Sequence, residues 1–298
     1  MSTIRTRWSG SDSTIPGWGG EGKPLVRAEK DWVFVSDAHF TGQESEEMES
    51  FLRFLDSESH GIGHLVVLGD LFEFLFGFKQ GSSPRDSSLT AEGFPFPDYL
   101  PVFRGIERLA RQGVRIKYFE GNHDFSLSSF FQDWFEMEVE VYPDGCEERL
   151  GGRRSFIAHG DLSNPRQWKY RFFRRIVKNP WTYGLIQWAG PRWSRRIALG
   201  MSHKSHEIYH NRRPEGLSKA FQAFARQKFM EGFEVVILAH SHLPEKREEV
   251  VGDRKCLYVN VGDWVTHRSY LRFTPPDQLE LRQFSEEGRG RPGDGGMG

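Results

Sequence analysis

Six short apolar runs recur along the chain, each closed by polar or glycine-containing residues. They are Trp32–Ser36, Leu65–Leu68, Val114–Phe119, Arg154–Ala158, Val235–Ala239 and Leu257–Val261. Runs this short, rich in Val, Ile and Phe, predict strands. Three longer segments carry helical periodicity: Glu44–Ser59, Pro101–Arg111 and Gly216–Glu231. In the second, Val102, Ile106 and Leu109 share one face, and Gly113 stands where a helix-terminating glycine belongs. Strands alternating with helices predict an α/β fold, and residues 30–285 are taken as its single domain.

The remaining segments lack periodicity. Residues 1–29, rich in Gly, Ser and Thr, read as a flexible arm, and residues 286–298 as a disordered tail. Gln80–Pro97 reads as a loop. Residues 162–213, between two strand candidates, read as a helical, aromatic and basic insertion on the core fold.

Composition narrows the class. The 298 residues are 37% hydrophobic and 27% charged, which is enough to bury a sizeable core. Lys and Arg number 40 against 41 Asp and Glu, so no stable nucleic-acid partner is expected. Cys146 and Cys256 form no CxxC pair, which argues against structural zinc and fits a reducing compartment. No run of 18 apolar residues predicts a membrane span, and the polar N-terminus does not read as a secretory signal.

The candidate chemistry sits just after the apolar runs. Five strand candidates end in Asp37-Ala38-His39, Gly69-Asp70, Gly121-Asn122-His123-Asp124, His159-Gly160-Asp161 and His240-Ser241-His242. The carboxyl ends of strands are where α/β folds build ligand sites. Carboxylate and amide oxygens mixed with imidazoles, without thiolate, suit two divalent cations of the Mn²⁺, Fe or Zn type. Two cations about 3.5–4 Å apart clamp a phosphoryl group and acidify a bound water. A single histidine in such a place is more often a surface or satisfied core residue. Five sets in this order are not explained that way.

In these five sets the sequence resembles the calcineurin-like metallophosphoesterases, across residues 31–273, with Ala239 replacing a glycine of the pattern. The resemblance implies a β-sandwich flanked by helices. It implies one metal on Asp37, His39, Asp70 and His242, and a second on Asp70, Asn122, His159 and His240, with Asp70 bridging. It gives His123 contact with the scissile phosphate and makes Asp124 and Asp161 orienting partners. The reaction implied is in-line attack by a dimetal-bound hydroxide.

The insertion then bears on substrate. Residues 162–213 hold twelve Lys or Arg and one acidic residue, Glu207, a net +11 that leaves the rest of the chain at −12. Trp168, Trp181, Trp188 and Trp193 lie among these cations. Such a face fits anionic headgroups and acyl chains, or single-stranded nucleic acid, or a hairpin packed on the core with solvated arginines. Gly69-Asp70-Leu71-Phe72-Glu73, Tyr170, Phe173-Arg174, Pro180-Trp181 and Arg195-Arg196-Ile197-Ala198 resemble the UDP-2,3-diacylglucosamine diphosphatases of lipid A synthesis. That resemblance implies release of UMP from an acylated UDP-sugar by a cytoplasmic enzyme, peripheral on the inner face of the cytoplasmic membrane. The insertion would be its lid. Ser205, Arg212, Asn122, His123 and His240 would touch the substrate, with Arg212 replacing a lysine. His123, Gln167 and Tyr209 depart from the pattern of these enzymes. The apolar run Leu71–Phe78 reads either as acyl-chain lining or as core. Another phosphoesterase-fold enzyme, a nucleotide pyrophosphatase or nuclease, is the alternative function. A non-enzymatic module is the third reading, and the filled ligand set argues against it.

Overall fold

A computed structural model describes residues 30–42, 45–79, 94–135, 137–164, 168–190, 214–285 and 288–292. The expected arm at 1–29 and most of the Gln80–Pro97 loop lie outside them, as do Ser205, Arg212, Gln167 and Tyr209.

The first half runs β1 (Asp31–Val35), α1 (Glu46–Glu58), β2 (Ile62–Val67), β3 (Leu75–Phe76), α2 (Leu100–Arg111), β4 (Arg115–Phe119), β5 (Asp124–Phe125) and α3 (Phe130–Trp134). Then follow β6 (Val139–Tyr142), β7 (Cys146–Leu150), β8 (Arg153–Ile157), α4 (Trp168–Val177) and α5, described over residues 180–190. The last part comprises α6 (Pro214–Met230), β9 (Val235–Leu238), β10 (Glu245–Val251), β11 (Arg254–Asn260), β12 (Ser269–Thr274), β13 (Gln278–Ser285) and β14 (Gly288–Pro292).

Two sheets face each other. One is ordered β14-β13-β12-β1-β2-β4-β6 and the other β10-β11-β9-β8-β7. At the centre of the first, β1, β2, β4 and β6 are parallel; in the second, β8, β9 and β11 are. Strands covered on both faces need continuous apolar sequence, which explains why all of these but the edge strand β6 were legible as runs. Phe34, Val66 and Phe119 from the first sheet meet Ile157, Ile237 and Val259 from the second in one dry cluster. The outer face of the first sheet is covered by α1, α2 and α3 through Phe51, Phe54, Phe103 and Phe131. The outer face of the second is covered by α6 through Phe221, Ala225 and Phe229. The result is the expected α/β sandwich flanked by helices, with a helical insertion between β8 and α6.

Helix α1 starts where Ser45 accepts the Met48 N–H on its side chain, with Glu46, Glu47 and Glu49 in the first turn. Three expectations change. The strands β6, β7, β10, β12 and β13 were not predicted, because charged residues break up their apolar runs. Residues 288–292, expected within a disordered tail, form β14 against β13, with Arg282 opposite Pro292. A sheet edge offers backbone hydrogen bonds to any extended segment, so its glycines and arginines did not announce it. Finally, Leu71, Phe72, Leu75 and Phe76 are fully buried, so the Leu71–Phe78 run is core and not acyl-chain lining. Phe94 and Phe96, at the end of the expected loop, are buried in the same cluster.

Candidate metal centre

The parallel strands of both sheets deliver their polar ends to one place. Asp37 and His39 follow β1, Asp70 follows β2, Asn122 and His123 follow β4, His159 follows β8, and His240 and His242 follow β9. Donor atoms of Asp37, Asp70, His159 and His240 lie within 4.8 Å of one another. So do those of Asp37, His39 and His242, and those of His39, Asp70 and His123. Asp70 and Asp37 each belong to two of these groups, so one carboxylate can serve two cations. Asn122 joins through Oδ1, 3.3 Å from His159 Nε2.

The backbone is bent sharply to achieve this. Asp37, His39, Asp70, His240 and His242 all have φ between +47° and +67°. Non-glycine residues visit that region at a cost, and such strain concentrates at functional sites. Two glycines make room beside them. A Cβ on Gly121 would sit 2.1 Å from Asp70 Oδ1, and one on Gly69 would sit 2.8 Å from His159 Nδ1.

Four of the five imidazoles are aimed by a second contact. His159 Nδ1 lies 2.6 Å from the Leu68 carbonyl, so Nδ1 donates and Nε2 is left to face Asp70 Oδ2 at 3.3 Å. His39 Nδ1 is 3.3 Å from Glu73 Oε2, and His123 Nδ1 is 2.7 Å from the Glu73 carbonyl. His242 Nδ1 is 3.4 Å from Asp263 Oδ2, while its Nε2 is 3.6 Å from Asp37 Oδ1. Glu73 and Asp263 escaped the sequence reading. Glu73 had a signal in the GDLFE string; Asp263 had none but its place after the last central strand.

Asp124 is fully buried and accepts from the Asp70 N–H at 2.6 Å and the Tyr118 hydroxyl at 3.1 Å. Asp70 accepts the His123 N–H at 2.8 Å. Burial and the nearby Asp70 charge push the Asp124 carboxyl well above the usual range. Burial works against charge on Asp70 too, but the surrounding histidines, His159 first, hold it well below that range. Burial likewise opposes charge on His159, yet the Asp70 carboxylate beside it pulls it up to about 10. His240, buried next to His159, is pushed down to about 3.

A cation pair fits the residues present. Asp37 Oδ1 is buried with no hydrogen-bond donor among the described residues, yet two imidazole nitrogens point toward it. A carboxylate oxygen in that position is matched by a cation. The donor set is oxygen and imidazole only, which suits hard to borderline divalent ions.

The insertion is fastened to this site. Asp161, two residues beyond His159, is 4% exposed. It accepts the Tyr170 hydroxyl at 2.5 Å and pairs with Arg174 Nε at 3.0 Å. Arg174, itself 5% exposed, also pairs with Asp144. Lys178 donates to Glu120 at 2.8 Å, two residues before Asn122. The Arg171 guanidinium meets the Leu162 carbonyl. Two of the insertion's cations are therefore paired with acids outside it, and a third meets a backbone carbonyl. Helix α5 rests on the β3 segment, where Tyr183 and Gln187 donate to the Gly77 carbonyl at 3.1 and 2.8 Å. Its other face is open: Trp181, Leu185 and Trp188 are exposed, as are Phe172 and Ile176 on α4. No helix among the described residues is long and apolar enough to cross a membrane.

Fold and site together define a metal-dependent phosphoesterase. The family model for calcineurin-like phosphoesterases matches residues 32–244, and the chain belongs to that family. It is an enzyme acting on phosphate-containing substrates, with a His/Asp cluster able to hold two metals. Among similar proteins is the UDP-2,3-diacylglucosamine hydrolase of Shigella dysenteriae, 28% identical over 253 residues, covering 85% of this chain and 98% of that protein. The enzyme of the same name from Aliivibrio fischeri is 27% identical over 246 residues, covering 81% and 94%. Among solved structures, a predicted phosphoesterase from Streptococcus pneumoniae aligns over 89% of this chain and 95% of its own at 15% identity, with a TM-score of 0.39. Vacuolar Protein Sorting 29 from Cryptosporidium parvum reaches 0.41 at 10% identity, covering 89% and 95%. Scores at that level carry no functional inference.

Proposed function

We propose that the protein hydrolyses the pyrophosphate of UDP-2,3-diacylglucosamine, giving UMP and 2,3-diacylglucosamine 1-phosphate. It would work with two divalent cations, Mn²⁺ first among them, while docked on the inner face of the cytoplasmic membrane. The observation that carries this reading is the open apolar face of α4 and α5 beside the metal centre. Nine large apolar side chains are exposed among the described residues, and five of them fall on these two helices. Trp181, Leu185 and Trp188 recur at i, i+4 and i+7, one stripe of a helix whose opposite side packs on the core. Arg175 is exposed on α4 nearby. An aromatic stripe with cations suits the boundary between headgroups and acyl chains. The named activity of the similar proteins supports the same substrate.

The residues then divide the work. Asp37, His39, Asp70 and His242 would hold one cation, and Asp70, Asn122, His159 and His240 the other. Bound there, the cations would supply Lewis acidity and a more acidic water. His123 keeps its Nε2 for the phosphoryl group because Glu73 occupies Nδ1. Asp124 and the two glycines hold Asp70 and the Asn122 loop in register. Ser205 and Arg212 are assigned to substrate contact by resemblance alone.

The test measures UMP release from the acylated UDP-sugar across a metal series, beside single-stranded DNA and unacylated nucleotide sugars. UMP release from the lipid, greatest with Mn²⁺, is the expected outcome. Turnover of DNA or unacylated nucleotides with none of the lipid would overturn the substrate reading in favour of a nuclease or nucleotide pyrophosphatase.

A further inference from the structure

Asp263 lies outside all five sequence sets, yet its carboxylate reaches the metal centre. It is 3% exposed, and each oxygen has a different job. Oδ2 lies 3.4 Å from His242 Nδ1. Oδ1 accepts the backbone N–H groups of Thr266 at 3.2 Å and His267 at 2.9 Å, and lies 2.9 Å from His267 Nδ1. The loop carrying it is tied to β1. Trp264 N–H donates to the Asp37 carbonyl at 3.2 Å, and Ser36 Oγ donates to the Gly262 carbonyl at 3.0 Å.

We infer that Asp263 is the positioning residue for His242, fixing the tautomer in which Nδ1 donates outward and Nε2 faces Asp37. His242 is loosely enclosed: it is 38% exposed at its side chain, against 10% for His39 and 1% for His159. It also sits at φ +60° after a strained His240, so its backbone does not aim the ring alone. A carboxylate holding the outer nitrogen of a metal-binding imidazole fixes orientation and raises ligand basicity, an effect worth about 10–100-fold in metal affinity. The inference rests on the cation-holding reading of the cluster and is independent of which phosphoester is cleaved.

The test is cation binding, with no substrate present. Mn²⁺ stoichiometry and affinity are measured by equilibrium dialysis and electron paramagnetic resonance for the wild type, Asp263→Asn and His267→Ala, with Tm for each. Asp263→Asn keeps an oxygen for the two backbone N–H groups, so the loop holds its shape. Its amide, however, offers N–H to His242 Nδ1 and favours the wrong tautomer. The expected result is two cations on the wild type and on His267→Ala. Asp263→Asn should hold one as tightly as the wild type and the second about 10–100-fold more weakly, with Tm little changed. Two cations at wild-type affinity on Asp263→Asn would overturn the inference. So would equal weakening of both alongside a fallen Tm, which marks a purely structural role. A wild type that binds no Mn²⁺ would sink the cation reading itself, and the inference with it.

Discussion

The metal centre and the α4–α5 insertion meet at Asp161, but they are built by opposite rules. At the centre, every donor is buried or half-buried and sits on the end of a rigid strand or the loop after it, and four of the five imidazoles are oriented by a second group. On the insertion, the inner face is pinned by buried ion pairs while the outer face carries Trp181 and Trp188 at 88% and 84% exposure. The centre gathers its donors from both sheets. The insertion displays apolar surface that nothing among the described residues covers. Side chains that must be geometrically fixed are thus held in the sandwich, while exposed apolar surface is carried on helices beside it.

The sharpest way to break this division is at Asp70. Its carboxylate faces His159 on one side and the His39–His123 group on the other. Asp70→Ala should lower turnover of any phosphoester about a thousandfold or more, since loss of even one preorganised charge-stabilising group costs about 10²–10³. Steady-state assays on the acylated UDP-sugar and on a small chromogenic phosphodiester check it. Retention of either activity would show that the two groups do not share this carboxylate.

That site was legible because five separate strand ends each carried a recognisable pair or quartet of polar residues, and the strands themselves were uninterrupted apolar runs. Asp263 was not legible, since a lone carboxylate after a strand has no pattern. Its role depends on a loop folding back against β1. The insertion was legible as helical and basic, but the partners of its cations were not. Arg174 and Lys178 find Asp161, Asp144 and Glu120, which lie from 13 to 58 residues away in sequence and cannot be paired with them by inspection. Edge strands such as β10 and β14 were missed for a related reason: they hold by backbone pairing, which their side chains do not report.

A smaller effect tests whether the insertion's inner face is as fixed as the centre. Arg174→Ala leaves the Asp161 carboxylate buried beside His159 with, among the described residues, the Tyr170 hydroxyl as its one side-chain partner. Breaking a buried pair from one side costs about 3–5 kcal/mol. Urea unfolding should show that loss, and limited proteolysis should cut within 168–190 sooner than in the wild type. Unchanged stability and protection would mean that α4 is held by its apolar contacts alone. The same geometry bars Arg174 from serving as a headgroup cation, so tests of surface charge belong on Arg175.

The gentlest change separates the two regions most cleanly. Trp181 and Trp188 make little contact with the fold, so replacing both with Ser should alter stability by no more than about 0.5 kcal/mol each. If the stripe enters an anionic bilayer, the same change removes about 150 Å² or more of buried aromatic surface per residue at about 25 cal/mol/Å². Binding to vesicles of anionic phospholipid, measured by sedimentation, should then weaken by at least about tenfold. Hydrolysis of a small water-soluble phosphodiester should stay at the wild-type rate, because no metal-centre contact involves either residue. Equal vesicle binding by the variant would leave the stripe without a lipid role. A parallel fall in soluble-substrate turnover would show that the outer face and the metal centre are not separable.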